Sequence, residues 1–188
     1  MIKRELYMNR IRPFIGGELI KVMTGIRRSG KSVMLELIKE ELAEAGVAPS
    51  QMISINFEDM RYSHLQTATA LHDEIIKRAE GIEGKAYLFF DEIQEVEGWE
   101  KCVNSLRVAL DCDIYITGSN AKLLSGELDT YIGGRYVEFV IYPFSFAEFL
   151  ELYHTIAPSD SIQQCFQKYL LAGGMPYLAN LRYEEEPS

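Results

Sequence analysis

Eight consecutive residues, Gly25-Ile26-Arg27-Arg28-Ser29-Gly30-Lys31-Ser32, combine glycine, cation and hydroxyl at a spacing suited to a polyphosphate. Gly25 and Gly30 allow the backbone to bend until its N–H groups converge on an anion. A helix starting near Lys31 adds unpaired N–H groups and the positive end of its dipole. The Lys31 ammonium suits the β- and γ-phosphates, and the Ser32 hydroxyl suits Mg²⁺. No single contact of this kind holds an anion in water, but the set does. The expected nucleotide-contacting stretch is Gly25, Ile26, Arg27, Arg28, Ser29, Gly30, Lys31 and Ser32, extended by Val33 in the first helical turn. Arg27 and Arg28 form the crown of the loop. One of them touches the nucleotide or a partner, or both are simply solvated.

Phosphate loops serve kinases, switches and motors alike, so a second cluster must decide the chemistry. Tyr87-Leu88-Phe89-Phe90-Asp91-Glu92 places two carboxylates directly after four apolar residues. This is the acidic end of a buried strand. Asp91 is expected to bind Mg²⁺, and Glu92 to orient and deprotonate a water. Taken alone, the pair also suits a strand ending in solvent-facing acids. A third segment, Ile116-Thr117-Gly118-Ser119-Asn120, leaves a strand with polar side chains. Ser119 and Asn120 are candidates to bond the γ-phosphate or the attacking water, although such a pair also makes an ordinary turn or helix cap.

These residues need elements to hold them. Ile20–Thr24 reads as the strand entering the phosphate loop, and Lys31–Ala45 as the helix leaving it. On that helix Val33, Met34, Leu37, Ile38 and Leu42 share a face. Further strands are expected at Met52–Phe57, Ala86–Phe90, Ile114–Thr117 and Tyr136–Tyr142. Helices are expected at Leu71–Glu80 and around Trp99, Val103, Leu106 and Leu110. Alternating strands and helices predict an α/β fold, a parallel sheet covered by helices. After Pro143 the pattern becomes helical. Ser145 with Glu148, and Ser161 with Gln164, read as helix-opening capping pairs, and Gly173-Gly174 as a stop. The expected organisation is an N-terminal arm (1–18), a phosphate-loop core (19–143), a helical lid segment (144–183) and an acidic tail (184–188).

The 188 residues suffice for one sizeable core. The net charge of −9 repels phosphate backbones, which argues against a general nucleic-acid-coating role. Three cysteines, none at CxxC spacing, argue against a disulfide framework or a zinc site and fit a reducing cytoplasm. No apolar run approaches a membrane span.

In order along the chain, Gly25 to Ser32, Phe90-Asp91-Glu92-Ile93-Gln94, Thr117-Gly118-Ser119-Asn120, Gly134-Arg135 and Tyr142-Pro143-Phe144-Ser145-Phe146-Ala147-Glu148-Phe149 resemble the AAA+ superfamily. More narrowly they resemble bacterial and archaeal ATPases carrying GxRRxGKS, FxDEIQ, TGSN and YPFSFxEF segments. The resemblance implies a three-layer αβα P-loop fold. Its five-stranded parallel sheet has the order 5-1-4-3-2, followed by a partial lid. It implies ATP and Mg²⁺ as ligands and hydrolysis as the activity. It also gives Asn56 the place of a residue that restrains the catalytic Glu. Arg135 takes the place of an arginine finger acting on a neighbouring subunit, unless it makes a structural salt bridge. Gly173-Gly174-Met175-Pro176 takes the place of the lid turn facing the nucleotide, with Pro176 in contact. The sensing arginine common in that turn is absent. Related proteins usually continue into a nuclease-like C-terminal region, so the chain is expected to be either a core piece of a longer protein or a core-only protein. The leading expectation is an ATPase coupling hydrolysis to conformational change or assembly. The alternatives are a nucleotide-dependent switch or adaptor with little turnover, and a small-molecule P-loop kinase. A kinase would need a basic lid, and this helical tail has few arginines and lysines.

Overall fold

The structure is a computed structural model describing residues 2–118 and 132–176. The first described element is helix α1 (Glu5–Ile11), inside what the sequence suggests is only an arm. Its buried Tyr7, Met8 and Ile11 explain why it forms: they dock on the core, and tertiary burial stabilises a helix too short to persist alone.

Strand β1 (Ile20–Thr24) follows, buried throughout, and leads through the loop into α2 (Lys31–Glu44). Gly30 caps that helix at φ 100°, a left-handed conformation that a side chain would strain. Buried Met34, Leu35, Leu37, Ile38 and Leu42 line the packed face. Val33, expected on that face, is exposed at the site end of the helix, and Leu35 is buried instead.

Next come β2 (Met52–Asn56), α3 (Ala68–Ala79), β3 (Ala86–Asp91), α4 (Trp99–Ala109), β4 (Cys112–Thr117) and β5 (Tyr136–Val140). Helix α3 opens three residues before the apolar periodicity suggests, because Thr67 Oγ1 accepts the Ala70 N–H and caps it there. All strand pairs are parallel, in the order β2-β3-β4-β1-β5. Read from the other edge, this is the expected 5-1-4-3-2.

The sheet has a core on each face. One face packs Ile20, Val22, Leu88, Phe90, Ile114 and Ile116 against α3 and α4. The other packs Met23, Phe89, Tyr115 and Phe139 against α1 and α2. Residues one apart on a strand point to opposite faces, so strands β1, β3 and β4 are apolar on both. One exception is a buried ion pair, Lys21 with Asp113. Asp113 Oδ2 also accepts the Tyr115 hydroxyl at 2.7 Å and the Gly16 N–H at 2.7 Å. These bonds tie the incoming arm to the end of the sheet opposite the phosphate loop.

Helices α5 (Phe146–Ile156) and α6 (Ile162–Ala172) open with the expected Ser145/Glu148 and Ser161/Gln164 capping boxes. They share a third core of Ile2, Phe144, Phe149, Tyr153 and Cys165. Gly173 ends α6, and the Phe144 N–H donates to the Gly174 carbonyl at 2.6 Å. That contact turns Pro176 back toward the loop.

Candidate functional site

Parallel strands share one carboxyl end, and three of the sequence motifs leave the sheet there. The phosphate loop follows β1, the Asp91/Glu92 pair ends β3, and Thr117 ends β4, all in register. A cleft of about 480 Å³ opens at this end, lined by Arg27, Arg28, Gly30, Lys31, Ser32, Val33, Glu58, Glu92 and Pro176. That volume is within the range of small-molecule sites.

The loop geometry explains its glycine. Gly25 sits at φ 148°, and a Cβ built there would lie 2.2 Å from the Ile141 carbonyl oxygen and 2.9 Å from Ser29 Oγ. Only a residue without a side chain allows the loop to pass so close to the end of β5. Arg28 also adopts a left-handed backbone, at φ 66°. Arg27 reaches Glu58 at 3.5 Å, with both side chains largely exposed on the rim of the cleft. Ile26 is exposed beside them.

Lys31 is buried and curls back over the loop. Its Nζ lies 3.4 Å from the Gly25 carbonyl, 3.5 Å from the Ile26 carbonyl and 3.4 Å from Glu92 Oε1. Glu92 Oε2 also accepts from Gln94 Nε2 at 2.7 Å. The Glu92 backbone is left-handed at φ 54°, and its N–H donates to Thr117 Oγ1 at 3.0 Å. A non-glycine residue held in this conformation costs on the order of 1 kcal/mol or more, so its surroundings must impose it.

Asp91 is buried and accepts from two side chains, the Thr117 hydroxyl and Asn56 Nδ2 at 3.2 Å, with the Ser32 hydroxyl close enough to favour its charged form. Burial pushes its carboxyl above the ordinary range, while the Thr117 and Ser32 hydrogen bonds act against that shift. A divalent cation would relieve the same desolvation. Two observations fit a Mg²⁺-polyphosphate here. Ser32 and Asp91 form a hard oxygen donor set, and Ser29 Oγ is buried without a hydrogen-bond partner among the described residues.

Several sequence expectations land differently. Asn56 bonds Asp91 and the Glu58 N–H, and the amide that grips Glu92 is Gln94. The cause is register: Asn56 pairs with Asp91 across β2 and β3, one position short of Glu92. Arg135 is exposed immediately before β5, and Ile20 aligns with Tyr136. It therefore lies at the opposite end of β1 from the loop, about 16 Å of strand away. It is not among the residues lining its own chain's cleft. Ser119 and Asn120 fall outside the described residues. Thr117, a member of the TGSN segment with no separate role expected, bridges Asp91 and Glu92. Arg4 was not anticipated at all. It is buried against the loop and helix α5, and no local motif around it signals that position.

Comparison with known proteins follows the same lines. The model of a family described as AAA domain matches residues 18–150. An uncharacterised protein of Haemophilus influenzae is 43% identical over 176 residues, covering 94% of this chain and 44% of its own length. An uncharacterised protein of Methanocaldococcus jannaschii is 36% identical, covering 84% of this chain and 35% of its own. The chain thus spans less than half the length of these curated relatives. Among solved structures, the Aeropyrum pernix ORC1 protein in complex with DNA superposes with a TM-score of 0.57 at 18% identity, over 84% of this chain and 50% of that one. The Escherichia coli HORMA:CdnC:Trip13 complex matches at 0.56 and 13% identity, over 90% and 64%. PCH-2 of C. elegans matches at 0.52 and 15% identity, over 83% and 46%. Motifs, sheet order and family match agree: the chain belongs to the AAA domain family of the AAA+ P-loop ATPases.

Proposed function

We propose that the chain binds Mg-ATP in the cleft at the carboxyl end of the sheet and hydrolyses it to ADP and phosphate. The observation that carries this reading is the convergence of Lys31, Ser32 and Glu92 on one cleft, with Asp91 buried directly before Glu92 at the end of β3. Loop N–H groups and the α2 N-terminus bind the phosphates, and Lys31 exchanges its carbonyl contacts for phosphate oxygens. Ser32 and Asp91 would hold Mg²⁺, which supplies charge neutralisation at the phosphate oxygens. Glu92 orients a water and accepts its proton. Thr117 fixes both acids, holding the Asp91 side chain and the Glu92 backbone.

The lid helices sit on the same cleft through Pro176, which supports coupling of hydrolysis to a conformational change. The position of Arg135, remote from its own cleft, supports action on a neighbouring copy in an assembly. A cytoplasmic setting fits the three buried, free cysteines. Among the described residues no helix is long and apolar enough to cross a membrane.

One observation favours a second reading, a nucleotide-dependent switch with little turnover. Glu92 is already engaged by Lys31 and Gln94, so its base is restrained. Single-turnover hydrolysis decides between the two. Product formed from bound Mg-ATP at high protein concentration supports the ATPase, and tight binding without product supports the switch. No nucleotide binding defeats both. The same measurement with DNA added tests a nucleic-acid role, which the net charge of −9 opposes.

A further inference from the structure

The N-terminal segment passes between the phosphate loop and the lid, and Arg4 is its centre. The Arg4 side chain is 1% exposed, a degree of burial a guanidinium reaches only when its donors are matched. Nη1 donates to the Ser29 carbonyl at 2.9 Å, and Nη2 to the Tyr142 carbonyl at 2.8 Å. Nε donates to Glu148 Oε1 at 2.8 Å, with Nη2 at 3.4 Å from Oε2. The guanidinium lies 4.6 Å from the Tyr7 ring centroid and 5.2 Å from that of Phe144. These partners belong to four separate parts of the chain: the loop, the exit of β5, helix α1 and the first turn of α5.

The contact with Ser29 has a consequence for the cradle. In a trans peptide the C=O and N–H point in opposite directions. Holding the Ser29 carbonyl on Arg4 therefore turns the Gly30 N–H away from Arg4, to the side on which Gly30 lines the cleft. A Cβ at Gly30 would come within 3.2 Å of Arg4 Nη1, so loop and arginine are fitted to each other. Lysine cannot replace this fork, since three flexible donors on one nitrogen do not reach a carboxylate and two separated carbonyls.

The opposite end of the guanidinium holds the lid. Glu148 is the third residue of α5 and closes its capping box through the Ser145 N–H at 2.8 Å. One rigid planar group thus joins the Ser29 peptide to the start of α5.

We infer that Arg4 is a positioning residue for the phosphate site: it orients the Ser29–Gly30 peptide toward the anion and links the loop to lid helix α5 through Glu148. This rests on the nucleotide-binding reading above. The test uses the whole chain with Mg-ATP, measuring affinity by calorimetry and amide exchange in residues 145–150 with and without saturating nucleotide. Arg4→Lys is expected to weaken binding about tenfold or more, the loss of two charge-assisted bonds. It is also expected to remove most of the nucleotide-dependent change in exchange at 145–150. Glu148→Gln keeps the helix cap, because glutamine also closes a capping box. It is expected to cut that exchange response by at least about half, and it carries the test should Arg4→Lys fail to fold. A merely structural Arg4 would lower melting temperature but leave the exchange response intact at saturation. Wild-type affinity in Arg4→Lys, or a full exchange response in Glu148→Gln, overturns the inference. Failure of the wild type to bind Mg-ATP overturns the underlying reading instead.

Discussion

Lys31 Nζ lies 3.4 Å from Glu92 Oε1, so the cation of the phosphate loop pairs with the carboxylate that follows β3. A triphosphate must compete with Glu92 for that ammonium, and the two side chains should then separate in role. Lys31→Ala should lose more than about a hundredfold in ATP affinity, from several charge-assisted contacts. Glu92→Gln removes the competitor and should bind at least as tightly as wild type, with hydrolysis slowed by about a hundredfold or more. Calorimetry and single-turnover assays check both. Equal loss of binding in the two variants would defeat this division of labour.

Gly25→Ala tests the loop without touching a charged group. The new methyl would lie 2.2 Å from a backbone oxygen, Ile141 O, and that oxygen accepts no relief by rotamer change. Such a clash, added to a positive φ, should cost about 3 kcal/mol. The melting temperature should fall by roughly 6–12 °C for a domain of this size. Scanning calorimetry reads it directly. An unchanged melting temperature would mean that loop and β5 separate easily in solution.

The fold was legible in the sequence where one physical signal dominated. The apolar run Leu88-Phe89-Phe90, rich in aromatics and ended by two acids, reads as a central strand, and Ser145 with Glu148 reads as a helix start. The phosphate loop and the acidic pair were legible because their chemistry is contiguous in sequence. What escaped was long-range. Nothing local to Lys21 or Asp113 marks them as a pair, yet they bury each other across β1 and β4, 92 positions apart. Arg4 finds Glu148 144 positions away. The resemblance places Asn56 beside Glu92, whereas the register of β2 on β3 sets it against Asp91.

Acidification should loosen the hold of Arg4 on helix α5. Burial alone would raise the Glu148 pKa, but the hydrogen bonds from Arg4 and Ser145 outweigh it and hold the carboxyl below its ordinary value of 4.5. A folded value below the unfolded one means that Glu148 contributes stability in full above about 4.5, and that this is lost as pH falls through the folded value. Melting temperature against pH should therefore slope down below that point. Glu148→Gln should flatten the slope while lowering stability at neutral pH. A wild-type slope retained in the variant would assign the acid sensitivity to other carboxylates.

Arg135 should act between copies if it acts in catalysis. It is exposed at the far end of β1 from its own cleft, out of reach of a phosphate bound there. Specific ATPase activity should then rise with protein concentration, and Arg135→Ala should lose up to about a thousandfold in turnover while keeping nucleotide affinity. Mixing Arg135→Ala with Lys31→Ala should restore activity, since each supplies what the other lacks. A mixture no more active than its parts would leave Arg135 a surface residue.

Two amides flank the acidic pair, and they should have separable effects. Gln94 Nε2 donates to Glu92 Oε2 at 2.7 Å, and Asn56 Nδ2 donates to Asp91 Oδ2 at 3.2 Å. Donation to a carboxylate fixes its direction, so losing Gln94 leaves Glu92 freer to turn toward a bound water. Gln94→Ala should raise basal single-turnover hydrolysis by about three- to tenfold without changing ATP affinity. Asn56→Ala should act through Asp91 instead, changing the Mg²⁺ concentration needed for half-maximal activity while leaving the Mg²⁺-saturated rate nearly constant. A Mg²⁺ titration of both variants, with turnover as the readout, separates the two effects. If Asn56→Ala releases turnover and Gln94→Ala does not, the restraint on Glu92 lies on β2 despite the register.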